Sequence, residues 1–207
     1  MVSIDRERID GRKKRSIETR SRILAAAKEV FLANGYQQTT VTMINERAST
    51  GYGTVYAHFS GGKDEIFICL IEDLISEFYA IADIRFIPQT IEEAHAIIKA
   101  QVTHFLKLAE MYRDTLVIIW EGIGLSTLVQ SKWKDIVRKF HERIKHDIQY
   151  SQELGMARQL PAEQVAWVLL SAVENNLWQI ALGESAHTAE EIAKTIVEVY
   201  MFGLYKK

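Results

Sequence analysis

The sequence predicts an all-α protein of about nine helices, on three observations. Apolar residues recur at helical spacing nearly throughout the 207 residues. Two prolines and 11 glycines leave few breakers. No stretch alternates in the way a half-buried strand requires.

Residues 1–15 are polar and lack an apolar period, which predicts a mobile arm. Its cluster Arg12-Lys13-Lys14-Arg15 suits phosphates or a minor groove, and equally suits a solubilising tail. A first helix runs from Ser16 to Asn34 on the stripe Ile23, Ala27, Val30 and Phe31, and Asn34-Gly35 supplies a left-handed stop. Thr40 is placed to cap a short helix from Val41 to Arg47. Ser49-Thr50-Gly51 makes a tight connector, and a second short helix covers Tyr52 to His58. After Ser60-Gly61-Gly62 a long helix starts near Lys63 and runs past residue 80.

Beyond Pro88 only long helices are expected. Thr90 caps one that reaches Tyr112, with Ala94, Ile98, Val102 and Phe105 on one face. The apolar stretch from Leu116 to Leu125 is interrupted by Gly122 and Gly124. The next helix carries Trp133, Val137, Phe140, Ile144 and Ile148 on one stripe and ends at Gly155. Pro161 suits the first turn of a helix to Leu182. The last helix begins near Thr188, with Glu190 and Glu191 in its first turn and the stripe Ile192, Ile196, Val199 and Phe202.

With 48% hydrophobic and 25% charged residues the composition is that of a globular chain with a real core. The single cysteine, Cys69, cannot close an internal disulfide, which points to a reducing, cytoplasmic setting. No apolar run spans a bilayer and no signal peptide is evident, so a soluble protein is expected. The net charge of −2 hides an asymmetry: residues 1–64 hold 11 Lys and Arg against 7 Asp and Glu, the rest 14 against 20. A basic end on an acidic body fits a nucleic-acid contact, although a solvated face has the same appearance.

Two short helices joined by a tight turn and buttressed by a longer one form a helix-turn-helix, assigned to residues 16–65. One short helix must enter a major groove about 12 Å wide while its neighbours hold phosphates. In Tyr52–His58, Val55 and the following Phe59 face inward, leaving Tyr52, Thr54, Tyr56 and His58 for phosphates and base edges. Gly53 lets backbone approach DNA, and Gly62-Lys63 open a helix whose free N–H groups favour a phosphate.

The blocks Thr39-Thr40-Val41, Gly53-Thr54-Val55-Tyr56-Ala57-His58-Phe59 and Lys63-Asp64-Glu65-Ile66-Phe67 resemble the N-terminal signature of the tetracycline-repressor (TetR) family of bacterial regulators. Ile23–Ala27 and Phe31–Tyr36 are similar to that family's first helix, so the resemblance covers roughly residues 16–72. It implies DNA-contact positions at Thr40, Tyr52, Thr54, Tyr56, His58 and Lys63. With Thr42 and Gly53 these are the candidate DNA contacts. It further implies a homodimer through the last two long helices, and a small molecule among the middle helices that releases a pseudo-palindromic operator. Three positions depart from the family pattern: Asn45 for a small alanine, Ser49 for glycine in the turn, and Gly51 for a polar cap. Ser49 must adopt a left-handed backbone or shift the turn, and Asn45 must find a partner or face solvent.

Residues 66–207 are therefore read as a helical ligand-binding and dimerisation domain. His104, Tyr112, Trp120, Glu121, Asn175 and Trp178 are polar or amphipathic groups within apolar helices, and are the candidate ligand contacts. The surrounding residues favour a hydrophobic effector. Val165, Leu169, Ala172, Ile196, Val199 and Phe202 broaden two apolar stripes toward a twofold mate. No cofactor, metal or catalytic set is expected. His141-Glu142 begins like a zinc-protease motif, but His146 lies five residues on and its ring points elsewhere. Glu92 and His95 lack the second pair that a di-iron bundle needs. The competing reading is a helical carrier or enzyme bundle that binds no DNA.

Overall fold

The computed structural model describes the backbone of residues 2–204 and the side chains of residues 13–203. These form ten α-helices, with no β-strand among the described residues. None of the helices is long and apolar enough to cross a membrane. The chain divides into two compact units, residues 1–72 with 118–129, and residues 73–117 with 130–207.

The N-terminal unit holds α1 (Val2–Gln38), α2 (Val41–Ala48), α3 (Tyr52–His58) and α4 (Gly62–Leu70). It also takes in the end of α7 (Arg113–Leu125) and the start of α8 (Thr127–Glu153). Where an arm is expected over residues 1–15, helix begins at Val2. The segment has no proline and is rich in Arg, Lys and Glu, which cost a helix little. Lys13, Lys14 and Arg15 are exposed on it; the side chain of Arg12 and all of Met1 lie outside the described residues. The core gathers Ile23, Ala27, Phe31, Ile44, Val55, Phe59 and Ile66, all at most 1% exposed. Phe31, Tyr36 and Phe67 make an aromatic triad with ring centroids 4.8–5.9 Å apart.

The sequence's single long helix after Lys63 is two helices. The backbone turns at Ile71, whose N–H is shared between the carbonyls of Phe67 and Ile68, and α5 (Glu72–Ala82) follows. This break accounts for ten helices rather than about nine. Gly122 and Gly124 do not interrupt α7. Gly122 is instead a close approach, where a Cβ would lie 3.1 Å from Val129 and 3.3 Å from Tyr36.

The second unit contains most of α5, with α6 (Ile91–Met111), the start of α7, the body of α8, α9 (Ala162–Leu182) and α10 (Ala189–Leu204). Within it α6 packs on α9 and α10, and α9 on α10. The predicted starts of α6 and α10 hold. Thr90 Oγ1 accepts from the Glu93 N–H at 3.1 Å. Thr188 and Glu191 form a reciprocal capping box, at 3.3 Å from the Glu191 N–H and 3.0 Å from the Thr188 N–H. Phe78, Phe105, Phe140, Trp133 and Trp178 form a chain of ring contacts through its core.

Candidate nucleic-acid interface and ligand cavity

The short helix α3 divides into a buried and an open side. Val55 and Phe59 are fully buried, whereas Tyr52 and Tyr56 remain 58% and 39% exposed. The two tyrosines pack with ring centroids 5.1 Å apart, and the Tyr52 hydroxyl donates to that of Tyr56 at 3.3 Å. Gly53 is exposed, and a Cβ there would meet nothing within 4 Å. The fold therefore does not demand glycine at 53. Thr54 and His58 are half-buried, and Thr40 and Thr42 are exposed at the start of α2. Thr40 Oγ1 also caps that helix, accepting from the Met43 N–H at 3.2 Å.

Lys63, expected at a phosphate, has partners within the fold. Its ammonium donates to the Tyr36 carbonyl at 3.0 Å and sits 4.6 Å from the Tyr36 ring centroid, so it closes the end of α1. The three off-pattern positions also resolve. Ser49 takes the left-handed conformation (φ 51, ψ 48) and leaves the turn in place. Gly51 precedes α3 in extended geometry and gives it no side-chain cap. Asn45 is buried; its Oδ1 accepts weakly from Thr50 Oγ1 at 3.4 Å, while its Nδ2 has no partner.

Behind the reading helices, α1 breaks at Gly35 (φ 70) and one last turn follows. Glu121 satisfies that break: its Oε2 accepts from the Tyr36 N–H at 2.8 Å and the Gln37 N–H at 3.3 Å. A Cβ at Gly35 would come within 2.8 Å of the same oxygen. The Tyr36 hydroxyl donates to Asp64 Oδ1 at 2.6 Å, and Ser126 Oγ donates to Asp64 Oδ2 at 2.5 Å. Burial, then the Asp64 hydrogen bond, push the Tyr36 phenol far upward, so it remains a donor.

In the C-terminal unit an apolar cavity opens between α5, α6, α8, α9 and α10, walled by Phe86, Phe105, Phe140 and aliphatic side chains. Its empty interior is about 60 Å³, room for a few waters only. The polar groups on its wall are Gln101, Arg143, Asp147 and Tyr200. None of the six expected ligand residues lines it. His104 and Asn175 face solvent, and Tyr112 donates its hydroxyl to Glu77. Trp178 packs into Trp133 at 4.6 Å between centroids. Trp120 and Glu121 belong to the N-terminal unit, Trp120 exposed and Glu121 bound to α1. A polar or amphipathic group in an apolar helix can turn outward, as His104 and Asn175 do, or find a partner elsewhere in its own unit, as Tyr112, Glu121 and Trp178 do.

An apolar groove on α9 and α10 is lined by Val165, Leu169, Ala172, Ile196 and Val199, five of the six residues expected at a dimer contact. Phe202, the sixth, is 66% exposed, and Val199 71%. His141 and His146 diverge as the spacing requires, the first buried and the second exposed. Ligand atoms of His141, Glu142 and Glu163 do lie within 4.8 Å of one another, but Lys145 already bonds Glu142 at 2.6 Å and Glu163 at 3.4 Å. That ammonium holds the Glu142 carboxyl below its ordinary range. His95 faces Glu198 at 3.3 Å rather than a second metal pair.

Residues 23–69, which carry α2, α3 and most of α4, match the model for bacterial regulatory proteins of the tetR family. Over these residues the chain carries a TetR-type DNA-binding domain. Among relatives, the uncharacterized HTH-type transcriptional regulator YhgD of Bacillus subtilis is 27% identical over 156 residues, 75% of this chain and 80% of its own. The regulator SrpR of Pseudomonas putida is 24% identical over 63% of this chain and 62% of its own. The fold extends beyond the matched domain. NalD, the secondary repressor of the MexAB-OprM multidrug efflux pump in Pseudomonas aeruginosa, superposes with a TM-score of 0.73 at 19% identity, covering 94% of this chain and 99% of its own. The SmeT–triclosan complex gives 0.68 at 21% identity over 92% and 93%. The domain match, together with relatives that are HTH-type transcriptional regulators, makes the chain a DNA-binding regulator rather than an enzyme.

Two features of the structure escape sequence reading. The Glu121 contact joins residues 85 positions apart, and nothing local announces it. Arg143 and Asp147, four apart on α8, have the spacing of an ordinary surface ion pair. The overlooked signal is their position beside Phe140, Ile144 and Ile148, on the apolar stripe already recognised.

Proposed function

We propose that the chain is a homodimeric repressor that a small, largely hydrophobic effector releases from a pseudo-palindromic operator. The observation that carries this reading is the pairing in one chain of an open Tyr52–Tyr56 helix face with an apolar cavity in a separate unit. Tyr52, Gly53, Thr54, Tyr56 and His58 are the proposed groove contacts, with Thr40 and Thr42 beside them. The α9–α10 groove is the proposed twofold seam, and two reading helices then meet major grooves about 34 Å apart. A cavity that holds a few waters must widen to admit an effector. A molecule that binds the widened state better than the DNA-bound one shifts the population and frees DNA. The likeness to repressors of multidrug efflux pumps supports an effector chosen for bulk and apolarity.

Selection of bound duplexes from a random DNA library, with Tyr56→Ala alongside, tests the reading. A pseudo-palindrome is expected from the natural chain. The variant should bind it about 10- to 100-fold more weakly, as one lost base or phosphate anchor implies, and remain a dimer by light scattering. Unchanged affinity in the variant contradicts the assigned face.

A further inference from the structure

We propose that the cavity of the C-terminal unit selects an apolar molecule bearing one protonated basic nitrogen, which Asp147 receives; this rests on the reading of that cavity as the effector site. The wall is hydrocarbon apart from Gln101, Arg143, Asp147 and Tyr200. Of the two charged groups, Asp147 is the more enclosed, its side chain 13% exposed against 29% for Arg143. Arg143 Nε lies 3.1 Å from Asp147 Oδ1 and 3.3 Å from Oδ2, so the pair is made, but without hydrogen-bond alignment at Oδ1. That oxygen has no hydrogen-bond donor. Arg143 is meanwhile committed elsewhere, since its Nη2 donates to the Ile84 carbonyl at 2.9 Å.

Desolvation pushes the Asp147 carboxyl up to about 6 even with the Arg143 guanidinium beside it and the exposed His146 ring 3.9 Å from Oδ1, so these two neighbours only partly offset burial. A second cation that donates to Oδ1 completes the pairing. A neutral ligand leaves the oxygen as it is. A carboxylate ligand sets a second anion beside Asp147 and must compete for an arginine already twice engaged. Charge therefore ranks ligands of equal bulk as amine, then alcohol, then acid.

The test measures calorimetric affinity of the full chain for 2-(2-naphthyl)ethylamine, 2-(2-naphthyl)ethanol and 2-naphthylacetic acid at pH 7.5, on the natural chain and on Asp147→Asn. The amine is expected to bind at least tenfold tighter than the alcohol, with the acid weakest. In Asp147→Asn the amine should fall to the alcohol's level while the alcohol is unchanged. Alcohol or acid binding as tightly as the amine overturns the cation preference and leaves the cavity as effector site. An amine preference that survives in Asp147→Asn overturns the role of Asp147. No binding of any of the three, up to solubility, overturns both.

Discussion

Ser49 holds a left-handed backbone (φ 51, ψ 48) in the turn between α2 and α3, where no Cβ is comfortable. The strain costs about 1 kcal/mol for a non-glycine residue. Ser49→Gly should therefore raise the unfolding free energy by about 1 kcal/mol in a denaturant titration, with the turn unmoved. A fall in stability would mean that the serine side chain repays its own strain. Asp147 supplies the second residue-scale expectation. Burial pushes its carboxyl up to about 6 in the folded chain, against about 3.9 for an unfolded aspartate. Above pH 6 it is ionised in both states, and its buried charge counts against folding. As the pH falls from about 6 toward 4 the folded state takes up the proton first, and this penalty disappears. Arg143 and His146 lower it but do not cancel it. Asp147→Asn should thus be more stable at pH 7.5, by up to roughly 2 kcal/mol, with the advantage vanishing below about pH 4. Equal stability of both chains across that range would show the carboxyl to be well solvated.

At the scale of elements, the end of α1 depends on a side chain from α7. The carboxylate of Glu121 takes the Tyr36 and Gln37 N–H groups where Gly35 breaks the helix. Hydrogen bonds to a charged acceptor contribute roughly 1.5–3 kcal/mol. Glu121→Ala should destabilise the N-terminal unit by about 2 kcal/mol and speed hydrogen exchange at the Tyr36 and Gln37 amides. Unaltered exchange at those two amides would remove the clamp from the description. What was legible in the sequence divides along the same line. Caps at Thr40 and Thr90, the helix start near Thr188 and the inward Val55 and Phe59 are local relations of three or four residues, and all were readable. Glu121 meeting Tyr36 is a tertiary relation, and the apolar neighbours of Glu121 suggested a ligand instead. The Gly122 approach and the turn at Ile71 were missed for the same reason: packing decides whether a glycine breaks a helix and where a long stripe bends.

At the scale of the whole molecule, the exposed Val199 and Phe202 and the α9–α10 groove make the twofold seam the largest commitment. Placing a charge at its centre leaves an unpaired carboxylate against apolar surface. Val199→Glu should yield a monomer at micromolar concentration by light scattering, with helix content retained. Its operator affinity should drop at least 100-fold, because one reading helix replaces two. A variant still dimeric would place the seam elsewhere.

The central claim, that a regulator reads DNA at α3 and yields it when the C-terminal cavity fills, meets its most direct test in one titration. Fluorescence anisotropy of the selected operator duplex, across salt and with or without a cavity-binding amine, reads both halves at once. The expected result is tight binding that weakens steeply with salt as phosphate contacts are screened, and weakens again, at fixed salt, when the amine is added to the natural chain but not to Asp147→Asn. Operator affinity unaffected by saturating amine that calorimetry shows to be bound would contradict it.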